Sequence, residues 1–131
     1  MKQKIIVLTG PTASGKTKLS IQLAKKYNAE IICADSRIVY KDLDIVSAKP
    51  TAKEQDNVVH HLIDIKNPTE DFSAGDFVEL SQGIINSTEK NIIICGGTWF
   101  YIKALLGDLA LVKSSKNKEL RDELEKLEAN E

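Results

Sequence analysis

The stretch IIVLTGPTASGKT, residues 5–17, runs from an apolar segment into a loop of glycines and small polar residues that ends in a lysine and a threonine. Gly10, Gly15, Lys16 and Thr17 match the pattern G-x-x-x-x-G-K-[ST], set between a strand-like run and a helix-like one. Glycine lets successive N–H groups turn inward as an anion nest, and the helix that follows brings its positive end to the same place. The candidate phosphate cradle is therefore Gly10, Pro11, Thr12, Ala13, Ser14, Gly15, Lys16 and Thr17. Lys16 would neutralise phosphate oxygens and the Thr17 hydroxyl would ligate a Mg²⁺ that bridges them. The bland alternative is an ordinary glycine-rich turn.

Three further apolar runs follow the first, KIIVLT (4–9): EIICA (30–34), HLIDI (61–65) and NIIIC (91–95). They are continuous rather than alternating, which suits strands buried on both faces of a parallel sheet. Helical patterns lie between them. In KTKLSIQLAKKY (16–27), Leu19, Leu23, Ala24 and Tyr27 make one stripe, with Lys25 and Lys26 in the last turn. In SAGDFVELSQGII (73–85), Ser73 and Asp76 have capping-box spacing, and Phe77, Ile84 and Ile85 supply the buried side. Strand then helix, repeated behind a phosphate loop, predicts an α/β fold: a parallel-sheet, P-loop NTPase-like three-layer sandwich. The expected organisation is a core over 1–112 and an amphipathic terminal helix over 113–131, where Leu120, Leu124 and Leu127 share a face.

With 131 residues, 42% hydrophobic and 28% charged, the chain is long enough for one real core, and its composition argues against disorder. The net charge of −1 leaves no basic footprint for gripping a long nucleic-acid backbone. The apolar stretch near the start is too short for a signal peptide or a membrane span, so the expected location is the cytoplasm, with no membrane partner. Cys33 and Cys95 sit inside apolar runs and read as buried, reduced thiols.

Two further features follow strands, and ligands of open parallel sheets bind at the strands' carboxyl ends. Asp35, after the second run, has two readings: an N-cap for SRIVY, or a carboxylate that binds Mg²⁺ through water or takes a proton from a nucleophile. Thr98, in GGTWFY (96–101), either caps the next helix or offers its hydroxyl to substrate. His60 and His61 are adjacent on a strand, point to opposite faces and cannot chelate together; they read as structural.

Taken together, GPTASGKT (10–17), ADSRIVYKDLDIVSAKPT (34–51), HHLIDI (60–65), FSAGDF (72–77) and GGTWFYIKALL (96–106) resemble, in the same order, the landmarks of the tRNA dimethylallyltransferases, or tRNA isopentenyltransferases. The resemblance implies Mg²⁺-dependent transfer of a dimethylallyl group from dimethylallyl diphosphate to the exocyclic amine of an adenine beside the tRNA anticodon. It assigns catalysis to Asp35 as base, with Thr98 and Lys16, and contact with tRNA to Asp35, Ser36, Arg37, Ile38 and Thr98. Ile38 stands where the family usually has Gln, and Trp99 and Phe100 where it has Gly-Leu. Asp42, Val46 and Ser47 replace the usual Gly, Gly and Thr, so any left-handed backbone there would be strained. The family continues well beyond this length, and KNKELRDELEKLEANE (116–131) resembles the start of its RNA-embracing part. The expectation is a truncated family member that keeps the diphosphate site and is weak or inactive in transfer. Two alternatives stand beside it: a small-molecule P-loop kinase using ATP, and a non-enzymatic phosphate-binding remnant that docks on a separately encoded second half.

Overall fold

The computed structural model describes residues 3–10, 15–41 and 49–112, with the backbone alone for 108–112. The elements, in chain order, are β1 (Ile5–Thr9), α1 (Lys16–Tyr27), β2 (Ala29–Cys33), α2 (Ala52–Gln55), β3 (His60–His61), α3 (Ala74–Ser87), β4 (Asn91–Gly96) and α4 (Trp99–Val112). Among the described residues the strands form one four-stranded sheet in the order β1-β4-β2-β3, with every pairing parallel. β4 thus enters between β1 and β2. Because parallel crossovers are right-handed, this reversal of direction puts α1 on one face and α3 and α4 on the other.

The two faces divide the isoleucine runs by the strand period of two. Ile31, Cys33, Ile93 and Cys95 pack with Ile21 and Ala24 of α1. Ile32, Ile92 and Ile94 pack with Phe77 and Ile85 of α3 and with Tyr101, Ile102 and Leu105 of α4. Burial on both sides explains why these strands are apolar throughout, and it delivers the three-layer α/β sandwich.

Helix ends match the sequence signals. Ser73 Oγ accepts the Asp76 amide at 3.1 Å, and the Asp76 carboxylate returns to the Ser73 amide at 2.9 Å, closing a capping box on α3. A second box, Thr51 with Glu54, starts the short α2. Among the described residues no helix is long and apolar enough to cross a membrane.

Two expectations are corrected. On α1 the buried side is Ser20, Ile21 and Ala24, with Leu23 half-buried against the same core, while Leu19 and Tyr27 are exposed; the sheet meets the helix along one edge of the expected stripe. The third run, 61–65, joins a strand only at His61, the last residue of β3, since Leu62 and Asp64 adopt left-handed backbone at φ 67 and 55. Beyond that bend the chain still follows its neighbour, with the Asp64 amide donating to Ile38 O at 3.1 Å and the Ile65 amide to Val39 O at 2.9 Å. The terminal helix of 113–131 and the departures at 42, 46 and 47 lie outside the described residues.

Candidate phosphate-binding active site

The carboxyl ends of β1, β2 and β4 meet in one crevice. Gly15, the N-cap of α1, sits at φ 83, a left-handed conformation that glycine adopts without a Cβ clash. It offers no side-chain cap, and the first turn of α1 carries no acidic residue. The opening N–H groups and the positive end of the helix dipole are thus left for an anion. Pro11, Thr12, Ala13 and Ser14 lie outside the described residues.

The loop after β4 approaches this helix end. A Cβ built on Gly97 would lie 3.6 Å from Gly10 O and 4.0 Å from Lys16 Nζ, so the lysine ammonium reaches across to that turn. Gly96 is tighter still, its absent Cβ falling 2.1 Å from the carbonyl oxygen of Ala34. Only glycine lets β4 and β2 exit side by side. The Ala34 amide donates to Cys95 O at 2.9 Å and the Thr98 amide to Ala34 O at 3.1 Å.

Asp35 follows β2 and is half-buried. Its Oδ1 accepts the Arg37 amide at 2.8 Å and the Ile38 amide at 3.4 Å, so it does cap SRIVY, which is a turn and not a helix. Among the described residues its Oδ2 has no hydrogen-bond partner. Capping therefore fixes one oxygen and leaves the other for chemistry. Thr98 precedes α4, and its Oγ1 accepts the Ser36 amide at 3.0 Å, which stitches the Asp35 turn to the turn after β4. Ser36 and Arg37 are exposed, whereas Ile38 is only 6% exposed and packs in the α1-side core.

A cavity of about 890 Å³ opens beneath these groups. Its lining includes Gly15, Lys16, Thr17 and Asp35, the cysteines Cys33 and Cys95, and, from after β2 and before β3, Lys49, Asp56 and His60. Thr98 does not line it and meets the Asp35 turn only through the Ser36 amide. Burial pushes the Cys33 thiol far up, with Cys95 and Asp35 adding to the shift, and burial also raises Cys95. Both thiols are free and protonated at neutral pH, part of an apolar floor.

Sequence reasoning passed over one residue of this cavity, Lys49, and read another, His60, as structural. Lys49, its side chain 7% exposed, donates from Nζ to Tyr40 O at 3.1 Å and pairs with the Asp64 carboxylate. It ties the turn after β2 to the left-handed turn after β3. No spacing rule flags such a lysine, since its partners are assembled by tertiary structure. His60 sets Nδ1 against Val58 O at 2.9 Å, while its Nε2 is buried without a partner among the described residues. Nδ1 thus carries the proton of a neutral ring.

Burial lowers the pKa of His60, against an opposing contribution from the Val58 carbonyl. Below pH about 6.5 the unfolded chain gains a proton that the folded chain takes up only at lower pH, so stability falls with falling pH in that window. We expect the urea midpoint to drop between pH 7.5 and 5.5 and the drop to shrink in His60→Gln; equal drops in the two proteins would remove His60 as the cause.

The architecture is that of a parallel-sheet α/β core in which Gly15 and Lys16 at the start of α1, the acid Asp35 and a second glycine turn come together at the strands' carboxyl ends. The model of the IPP transferase family matches residues 38–131, and the chain belongs to that family. It is 46% identical over 128 residues to a tRNA dimethylallyltransferase of Alkaliphilus oremlandii, covering 95% of this chain and 41% of that protein. Among solved structures it resembles the full-length tRNA isopentenylpyrophosphate transferase of Bacillus halodurans, with TM-score 0.79, 39% identity, and coverage of 96% of this chain and 48% of that one. It also resembles the tRNA delta(2)-isopentenylpyrophosphate transferase of Staphylococcus epidermidis, with TM-score 0.76, 47% identity, and coverage of 79% and 35%. The chain spans about 41% of the length of the curated relative.

Proposed function

We propose that this crevice binds dimethylallyl diphosphate and serves transfer of the dimethylallyl group to the exocyclic amine of an adenine in tRNA. The observation that supports it most is the convergence of Lys16, Asp35 and the Gly97 turn on the open N-terminus of α1. Cleavage of an allylic carbon–oxygen bond places negative charge on the departing diphosphate. The α1 amides and the Lys16 ammonium are set to receive it.

An adenine amine is a weak nucleophile because its lone pair is delocalised into the ring. As its nitrogen bonds to the allylic carbon it must lose a proton, and the open Oδ2 of Asp35 is the acceptor on this reading. The amides of Arg37 and Ile38 hold that carboxylate in a fixed orientation, and Thr98 holds the turn through the Ser36 amide. The donors near the cradle fit Mg²⁺. Thr17 and Asp35 offer hard oxygens to one cavity, and among the described residues no cluster of three His, Cys, Asp or Glu side chains forms a dedicated metal cage. That suits an ion held largely by substrate phosphates and water. When bound, it would neutralise charge on the diphosphate oxygens.

The test is calorimetry with dimethylallyl diphosphate and MgCl₂, followed by single-turnover assay with unmodified tRNA. Binding is expected for the unsubstituted chain and for Asp35→Asn, because Asn keeps the carbonyl that caps the turn. Turnover in Asp35→Asn is expected to fall about 10²- to 10⁴-fold relative to the unsubstituted chain. Absence of any diphosphate uptake would sink the reading, as would a variant that transfers as fast as its parent.

A further inference from the structure

We propose that Lys49 is a positioning residue that holds the carboxylate of Asp35 in place; this rests on the reading above in which Asp35 is the base, and adds the residue that fixes its orientation. The Lys49 side chain is 7% exposed and lines the same cavity as Asp35. A lysine ammonium withdrawn from water keeps its charge only where other groups replace the lost hydration. Here the replacements include the Tyr40 carbonyl, which accepts from Nζ at 3.1 Å, and the Asp64 carboxylate.

Those two partners lie on opposite sides of one seam. Tyr40 closes the turn that begins at Asp35, its amide donating to Arg37 O at 3.2 Å, and Asp64 belongs to the left-handed turn after β3. From Lys49, three contacts run in series to the carboxylate. The ammonium pairs with the Asp64 side chain, the Asp64 amide donates to Ile38 O at 3.1 Å, and the Ile38 amide donates to Asp35 Oδ1 at 3.4 Å. Ile38 thus serves both sides, its N–H on the acid and its C=O on the turn that Lys49 grips.

The Ile65 and Lys66 amides also cross the seam, to Val39 O at 2.9 and 3.1 Å, but they stop one residue beyond the one that bonds Asp35. The contact to Ile38 depends on Asp64 keeping φ 55, a backbone conformation that costs energy in any residue with a Cβ and persists where its surroundings hold it. Lys49 supplies that hold. Of the two bonds on Oδ1, the one from Ile38 is longer than the 2.8 Å bond from Arg37, so it is the first to go when the turn drifts. A base must stay within hydrogen-bond reach of the proton it takes, so drift here slows transfer while the anion cradle at α1 is untouched.

The test uses the whole chain with Lys49→Met, which removes the charge and keeps an unbranched stem, and with Asp64→Asn, which keeps a side chain suited to the left-handed turn. Amide hydrogen exchange is followed by NMR at Arg37 and Ile38, with the buried Ile32 and Ile93 as the reference for global stability, and calorimetry measures binding of inorganic diphosphate with Mg²⁺. Relative to that reference, the Arg37 and Ile38 amides are expected to exchange about tenfold faster in Lys49→Met, with a smaller rise in Asp64→Asn and diphosphate affinity unchanged in both. The single-turnover transfer rate at saturating donor is expected to fall about 10- to 100-fold in Lys49→Met. Exchange at Arg37 and Ile38 that only follows the reference amides in both variants would overturn the proposal, as would an unchanged transfer rate. So would a tenfold loss of diphosphate affinity in Lys49→Met, which would put the ammonium on the anion and not on the turn. A parent chain that transfers no dimethylallyl group would count against the transferase reading, whereas exchange and calorimetry need no turnover and decide the role of Lys49 separately.

Discussion

Gly96→Ala is expected to lower the unfolding free energy by about 3 kcal/mol or more, a large share of what a domain of this size has. The new methyl group would lie 2.1 Å from Ala34 O, 2.5 Å from Ala34 C and 2.9 Å from Ala34 Cα. All three are backbone atoms, so no rotamer change relieves the clash. The two strands would have to part at their carboxyl ends, breaking the bonds from the Ala34 amide to Cys95 O and from the Thr98 amide to Ala34 O. The crevice would open with them, because those bonds place Asp35 and Thr98. Gly83→Ala is the matched control. Gly83 lies inside α3 and a Cβ there meets nothing within 4 Å, so alanine should raise stability by about 0.5–1 kcal/mol through helix propensity. Urea midpoints of the two variants should move in opposite directions; a Gly96→Ala protein as stable as its parent would refute the close approach.

Lys16→Ala is expected to weaken binding of inorganic diphosphate with Mg²⁺ on the order of 100-fold, the scale of a lost charge-assisted contact of about 3 kcal/mol. The ammonium reaches the Gly97 turn, where a Cβ would stand 4.0 Å from Nζ, so it lies at the junction of two of the three loops of the site. The fold should survive, since the residue is only partly buried at the first turn of α1. Calorimetry on the two proteins measures the loss directly, and near-equal affinities would show that the helix N-terminus alone carries the anion.

Much of this was legible in the sequence because the signals are local. The Ser73–Asp76 box depends on a three-residue reach, and the isoleucine runs on burial that no polar residue would tolerate. Where a reading failed, the deciding contact was remote. Of the stripe Leu19, Leu23, Ala24 and Tyr27, Ala24 is buried and Leu23 half-buried against the core, but the sheet meets the helix on the Ser20–Ile21–Ala24 side and leaves Leu19 and Tyr27 exposed. HLIDI has strand composition, yet its backbone turns left-handed at Leu62 and Asp64, and Lys49 ties that turn to Tyr40 from another part of the chain.

Asp35 shows the division within one residue. Cap and acid were rival readings in sequence, but the two amides engage a single oxygen and the other stays open, so both can hold. Sequence alone determined the parallel α/β class and the family, since both are written in short-range spacing and composition. Tertiary structure decided which face of α1 is buried, that Thr98 meets the Asp35 turn through the Ser36 amide, and that Gly96 lets β4 and β2 exit side by side. Each of these depends on how closely two distant backbones approach, a distance that no stretch of sequence encodes by itself.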